Sequence, residues 1–156
     1  MLNWLETTSL AVWLGESPSV WALPTVLTLH TAGMAVLVGT SWLLDLRLLG
    51  VGRNVPLAAY RWVFPTLGVG LFVNIVTGLM LFTKNATTLA AAVPFLVKML
   101  LVVASVATLV PVRSLILSSD ATEREVSGNV RALAIASILA WTGAVTAGRL
   151  LAYLIP

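Results

Sequence analysis

The chain has 156 residues, 59% of them hydrophobic and 10% charged, with a mean hydropathy of +1.00. A water-soluble domain carries about a quarter charged residues, so this composition excludes one and describes an integral membrane protein with no room for a second folded domain. Nine Lys and Arg against six Asp and Glu leave a charge of +3, which in this class serves topology and anionic lipid rather than nucleic acid, and zero cysteines exclude disulfides, thiolate metal sites and iron–sulfur clusters.

Residues 1–16, MLNWLETTSLAVWLGE, are too short and too polar to span a bilayer. Leu2, Leu5, Leu10, Val12 and Trp13 gather on one broad arc, interrupted by Glu6 and Ser9. That pattern predicts an interfacial helix with Trp4 and Trp13 at headgroup depth. The stretch lacks a basic region, so a cleaved signal peptide is not expected. Gly15-Glu16-Ser17-Pro18 ends it.

Residues 17–156 read as four transmembrane helices, because a hydrocarbon core about 30 Å thick needs about 20 apolar residues at ~1.5 Å rise each. The first covers about 20–49 and holds the only histidine, His30. Its Pro24 lies near the start, where a missing N–H costs little. A tight turn at 51–59 leads to the second span, about 60–82, with Pro65 in its first turns. A short loop at 83–92 precedes the third, about 93–117, which opens with Pro94 and is expected to kink at Pro111. The polar stretch 118–129 separates it from the fourth span, about 130–155. The expected fold is all-α: an integral membrane four-helix up-down bundle with a short interfacial N-terminal helix. Arg47, Arg53, Arg61, Arg113, Arg124 and Arg131 all fall at one end, so the positive-inside rule puts both termini on the non-cytoplasmic side. Among the tryptophans Trp141 is the exception, near mid-membrane instead of at an interface.

In lipid, apolar burial drives helix association weakly, so small residues and polar contacts must do it. Ala132, Ala136, Ala140, Ala144 and Gly148 on the fourth span, Gly70, Asn74 and Gly78 on the second, and Ala35 and Gly39 on the first are expected to turn inward.

Polar groups at depth mark candidate sites. His30 and Asn74 lie about equally far from the outer ends of their helices, and Lys98 and Arg149 sit slightly shallower. These four are the candidate cofactor-binding set. A neutral imidazole can ligate haem iron or copper, hydrogen-bond a quinone or pass a proton, and two cations above it suit propionates or a phosphate. The candidate metal set is His30 with Met80 and Met99, of the soft type that takes copper. The bland alternative makes His30 an interhelical hydrogen bond to Asn74 or Thr77. Asp45 is expected to form structural ion pairs with Arg61, Arg113 or Arg131 beside Arg47, which is too close in sequence to face it. No hydrolase triad, phosphate loop or paired carboxylate is present.

Trp4-Leu5-Glu6, Leu29-His30 with Gly33 and Gly39, and Leu44-Asp45-Leu46-Arg47-Leu48-Leu49-Gly50 resemble a family of small bacterial four-helix membrane proteins known only as a domain of unknown function. The likeness continues through Thr77-Gly78-Leu79-Met80-Leu81-Phe82, Phe95-Leu96-Val97-Lys98-Met99-Leu100 and Ala147-Gly148-Arg149-Leu150-Leu151-Ala152-Tyr153. More distantly, the histidine followed by small residues and the lysine early in the third span are similar to copper-resistance D type membrane proteins. The resemblance implies the bacterial cytoplasmic membrane and gives no reaction. It also implies a further histidine near the end of the third span, where this chain reads Leu109-Val110-Pro111-Val112-Arg113. The function expected first is therefore a non-catalytic membrane subunit of a larger respiratory or photosynthetic assembly, with the bilayer and other membrane subunits as partners. The alternative is a small redox or copper-handling protein with haem b, a quinone or copper at His30. A transporter is disfavoured, having neither mid-membrane carboxylates nor a broken helix pair.

Overall fold

The computed structural model describes residues 2–117 and 126–154, and these are helical with short connections. In chain order they form α1 (Asn3–Glu6), α2 (Ser9–Glu16), α3 (Ala22–Leu49), a 3-10 turn (Leu57–Trp62), α4 (Val63–Lys84), α5 (Ala86–Ala91), α6 (Val93–Leu117) and α7 (Gly128–Leu154). Four of them, with the 3-10 turn running into α4, are long and apolar enough to cross a bilayer. The fold is an all-α bundle of four long helices. Of the expected polar stretch 118–129, residues 118–125 lie outside the described residues.

The prolines explain the helix starts. Pro24, Pro65 and Pro94 each occupy the first turn of α3, α4 and α6, where N–H groups have no carbonyl to reach. Gly50 explains the end of α3. Its φ of 108° is the left-handed cap, and its N–H donates to the Arg47 carbonyl at 3.1 Å while Val51 N–H donates to Leu46 at 3.0 Å. A Cβ there would also strike Arg53 Nη2 at 2.7 Å.

Two expectations need correction here. The N-terminal segment is two helices, α1 and α2, because Thr8 interrupts it: its hydroxyl donates to the Leu5 carbonyl at 2.7 Å and accepts the Ala11 N–H at 3.4 Å, capping α2. The loop at 83–92 contains α5, which turns the chain between α4 and α6.

α3 is the hub, packing along α4 on one side and α7 on the other, and α7 carries α6. α2 lies over the ends of α3 and α4, burying Ala11 and Leu14. α4 and α6 are joined at the end that carries the chain termini by Phe82 stacked on Phe95 (centroids 5.4 Å apart). Toward the other end, here the turn end, they stand apart around a groove of about 390 Å³. Of the four long helices α6 is accordingly the least covered, with 6% of its most apolar stretch buried against 22–28% for the other three.

The inward faces differ from the fourfold series read in the sequence. On α3 it is Gly33 that is buried, whereas Ala35 and Gly39 face outward. On α7, Ala132 and Ala136 are exposed, and the buried line is Ala134, Ser137, Trp141, Ala144 and Ala147. Gly70 and Asn74 on α4 do turn inward, and Gly78 is half-buried.

Candidate functional site

The polar groups nearer the terminal end are held by the seam between α3 and α4. Here the two backbones approach closely because both helices present glycine. A Cβ on Gly70 would stand 3.0 Å from the Leu37 backbone nitrogen, and one on Gly33 would stand 2.8 Å from Asn74 Nδ2. That approach puts His30 Nδ1 2.9 Å from Thr77 Oγ1. Thr77 has one proton, which it gives to the Val73 carbonyl at 2.6 Å, so its oxygen accepts from His30. The imidazole therefore carries its hydrogen on Nδ1 and a lone pair on Nε2. Its Cε1 lies over Gly78, where a Cβ would come within 3.3 Å. Asn74, 8% exposed, donates Nδ2 to the Gly70 carbonyl at 3.4 Å, while its Oδ1 is buried without a partner among the described residues.

Lys98 joins this layer from α6. Its stem runs along Gly148 of α7, where a Cβ would sit 3.5 Å from Cδ, Cε and Nζ, and it lies close enough to His30 to act on it electrostatically. Arg149 does not join. It is exposed, with its guanidinium 5.4 Å from the centroid of the Tyr153 ring, at the surface of the bundle. Three of the four candidate cofactor residues, His30, Asn74 and Lys98, thus share one region and the fourth faces away. Of the candidate copper ligands, Met80 is half-buried about one turn beyond Thr77, and Met99 is 38% exposed on α6. Among the described residues no three His, Cys, Asp or Glu side chains gather around a common point. The arrangement supplies one neutral nitrogen ligand or hydrogen-bond acceptor beside one ammonium.

The turn end holds a second group. Arg47, 3% exposed, folds back on its own turn: Nε and Nη2 donate to the Val55 carbonyl at 3.0 and 2.8 Å, and Nη2 reaches the Arg53 carbonyl at 3.4 Å. Arg61 Nε donates to the Ile116 carbonyl at 3.4 Å, tying the 3-10 turn to α6, and Arg131 is exposed. Asp45, 2% exposed, faces Ser137 across the α3–α7 contact, and its Oδ2 has no hydrogen-bond partner among the described residues. Among the described residues the expected pairing of Asp45 with an arginine does not form, and Arg47 and Arg61 bond carbonyls that turns and helix ends leave unsatisfied. Ser41, Ser137 and Trp141, all at or below 1% exposure, also bury polar atoms that have no partner among the described residues. Neither serine is among the residues expected to form a site. The signal was present in the fourfold pairs Ser41/Asp45 and Ser137/Trp141 and in the misplaced Trp141.

At the terminal end the N-terminal helices are fastened to α5. Thr87 donates both its N–H, at 2.8 Å, and its hydroxyl to Glu6 Oε1. Those two bonds favour the ionised form and hold the Glu6 carboxyl below its ordinary value. Compared with protein-family models, with curated proteins and with solved structures, the chain matches none.

Proposed function

We propose that the chain is a non-catalytic integral membrane subunit that packs against a helix of another subunit in a larger membrane assembly, of the respiratory or photosynthetic kind. The observation that carries this reading is the open side of the bundle. Along its length α6 is covered mainly by α7, with the 3-10 turn and α5 touching only its ends, and the groove beside it is walled by Leu71 and Phe64 of α4 and by Val106 and Val110 of α6, with Arg113 at one end. An apolar trough ending in a cation fits a transmembrane helix whose end presents an acid or free carbonyls, since the last carbonyls of a helix have no partner within it. The polar residues nearer the terminal end support a structural role: His30 is engaged by Thr77, and the glycines that admit this contact also set the α3–α4 distance. The test is the subunit composition of the native particle, extracted in mild detergent and identified by mass spectrometry. Stoichiometric recovery with other membrane subunits supports the reading, and recovery of this chain alone overturns it.

A second reading rests on one observation, the lone pair left on His30 Nε2. A neutral imidazole in that tautomer is suited to ligate haem or copper, or to accept a hydrogen bond from a reduced quinone, at a site shared with a partner. The absorption spectrum and metal content of the purified particle, compared with those of His30→Ala, decide this reading.

A further inference from the structure

We infer that Ser41, Asp45, Ser137 and Trp141 enclose a site for buried water, a small hydrated pocket between α3 and α7 that links the Asp45 carboxyl to the Trp141 indole. All four side chains are at or below 2% exposure, and Ser41 Oγ, Asp45 Oδ2, Ser137 Oγ and Trp141 Nε1 each lack a hydrogen-bond partner among the described residues. One such group is tolerable in a folded protein. Four on one helix–helix contact need an explanation, because each loses its hydration on burial.

Their placement makes them one site. Asp45 faces Ser137. α3 and α7 run in opposite directions, so Ser41 and Trp141, each one turn from that pair toward the terminal end, lie at the next level together. The result is a ladder with a carboxyl and a hydroxyl on one rung and a hydroxyl and an indole on the other.

The donor and acceptor inventory selects the occupant. Trp141 Nε1 can only donate, the Asp45 oxygen needs a donor, and the two hydroxyls do both. Water accepts from the indole and donates to the carboxyl, and two to four polar partners are what a buried water requires. A metal cation would suit the three oxygen groups but would leave the indole N–H facing positive charge. The rest of this contact is apolar, with Leu44, Leu48 and Ala144 buried around the four groups, so the water is confined to the ladder.

The test uses isotope-labelled protein in lipid nanodiscs. The Trp141 indole N–H resonance is assigned by its disappearance in Trp141→Phe and then searched for a cross-peak to water. The expected result is a resident-water cross-peak that weakens in Ser137→Ala and in Ser41→Ala, both of which unfold at a lower temperature than the parent. The inference is overturned if the indole shows no water cross-peak and Ser137→Ala unfolds at the same or a higher temperature, as removing an unsatisfied hydroxyl from a dry contact would do. A shift of the indole resonance on replacing sodium with choline also overturns it, because a cation would then hold the site.

Discussion

Gly70→Ala is the substitution whose effect follows most directly from the geometry. The added methyl would sit 3.0 Å from the Leu37 backbone nitrogen, 3.2 Å from the Gly33 carbonyl oxygen and 3.2 Å from Leu37 Cβ. Two of these are backbone atoms of α3, which cannot rotate away as a side-chain end can. Restoring ordinary contacts of about 3.5–4.0 Å means parting α3 and α4 by about 0.5–1 Å, and a gap of that size forfeits about a quarter to a half of each dispersion contact along the seam. Overpacking of this kind costs about 1–3 kcal/mol, offset by about 1 kcal/mol for replacing a helical glycine with alanine. The expected net loss is therefore up to about 2 kcal/mol. Gly39 and Gly68 are the internal controls, since a methyl on either meets nothing within 4 Å and only the propensity gain remains. The assay is reversible unfolding in mixed micelles, followed by far-ultraviolet circular dichroism. A Gly70→Ala protein as stable as Gly39→Ala would refute the argument that backbone contact sets the α3–α4 distance.

Three further outcomes follow from individual contacts. A double-mutant cycle of His30→Ala and Thr77→Val should give a coupling of about 0.6–1.7 kcal/mol in the same unfolding assay, the range found for interhelical hydrogen bonds in membranes; zero coupling would remove the His30–Thr77 bond from the account. Arg47→Lys should cost about 1.5–3 kcal/mol, because a lysine cannot fork onto the Val55 carbonyl, and hydrogen exchange over residues 50–56 should quicken. Attachment of α1 through Glu6 should depend on pH with a definite sign. The folded carboxyl titrates below its ordinary value of 4.5, so the contribution is complete above that pH and is lost as the pH falls below it through the lowered value. Trp4 fluorescence should report the release, and Glu6→Gln should flatten the profile; a profile unchanged by that substitution would count against the Glu6–Thr87 contact.

The spans were legible because each is a long run of apolar sequence, three of them with a proline in the first turn, and residues 93–117 were placed at the ends α6 has. The inward faces were less legible, and α7 shows why. A residue repeated every four positions advances about 40° around a helix at each step, so a series of five wraps through about 160°. Ala132 and Ala136 consequently face out while Ala144 is buried, and the true seam alternates steps of three and four through Ala134, Ser137, Trp141 and Ala144. The candidate site was half legible. Depth along each helix brought His30 and Asn74 to one layer, but depth carries no information about direction, and Arg149 proved to face outward with Tyr153. The pairing of Asp45 with an arginine failed for a different reason. Charge patterns in a sequence suggest ion pairs, whereas the carbonyls that captured Arg47 and Arg61 belong to turns and helix ends whose geometry no composition reveals.

The central claim, that the α4–α6 side receives another subunit, is tested most directly by photo-crosslinking in native membranes from a probe at Val110 in the groove, with Ile135 on the exposed face of α7 as the reference position. The account predicts one discrete protein adduct from Val110 and none from Ile135. Lipid adducts alone from both positions would contradict it.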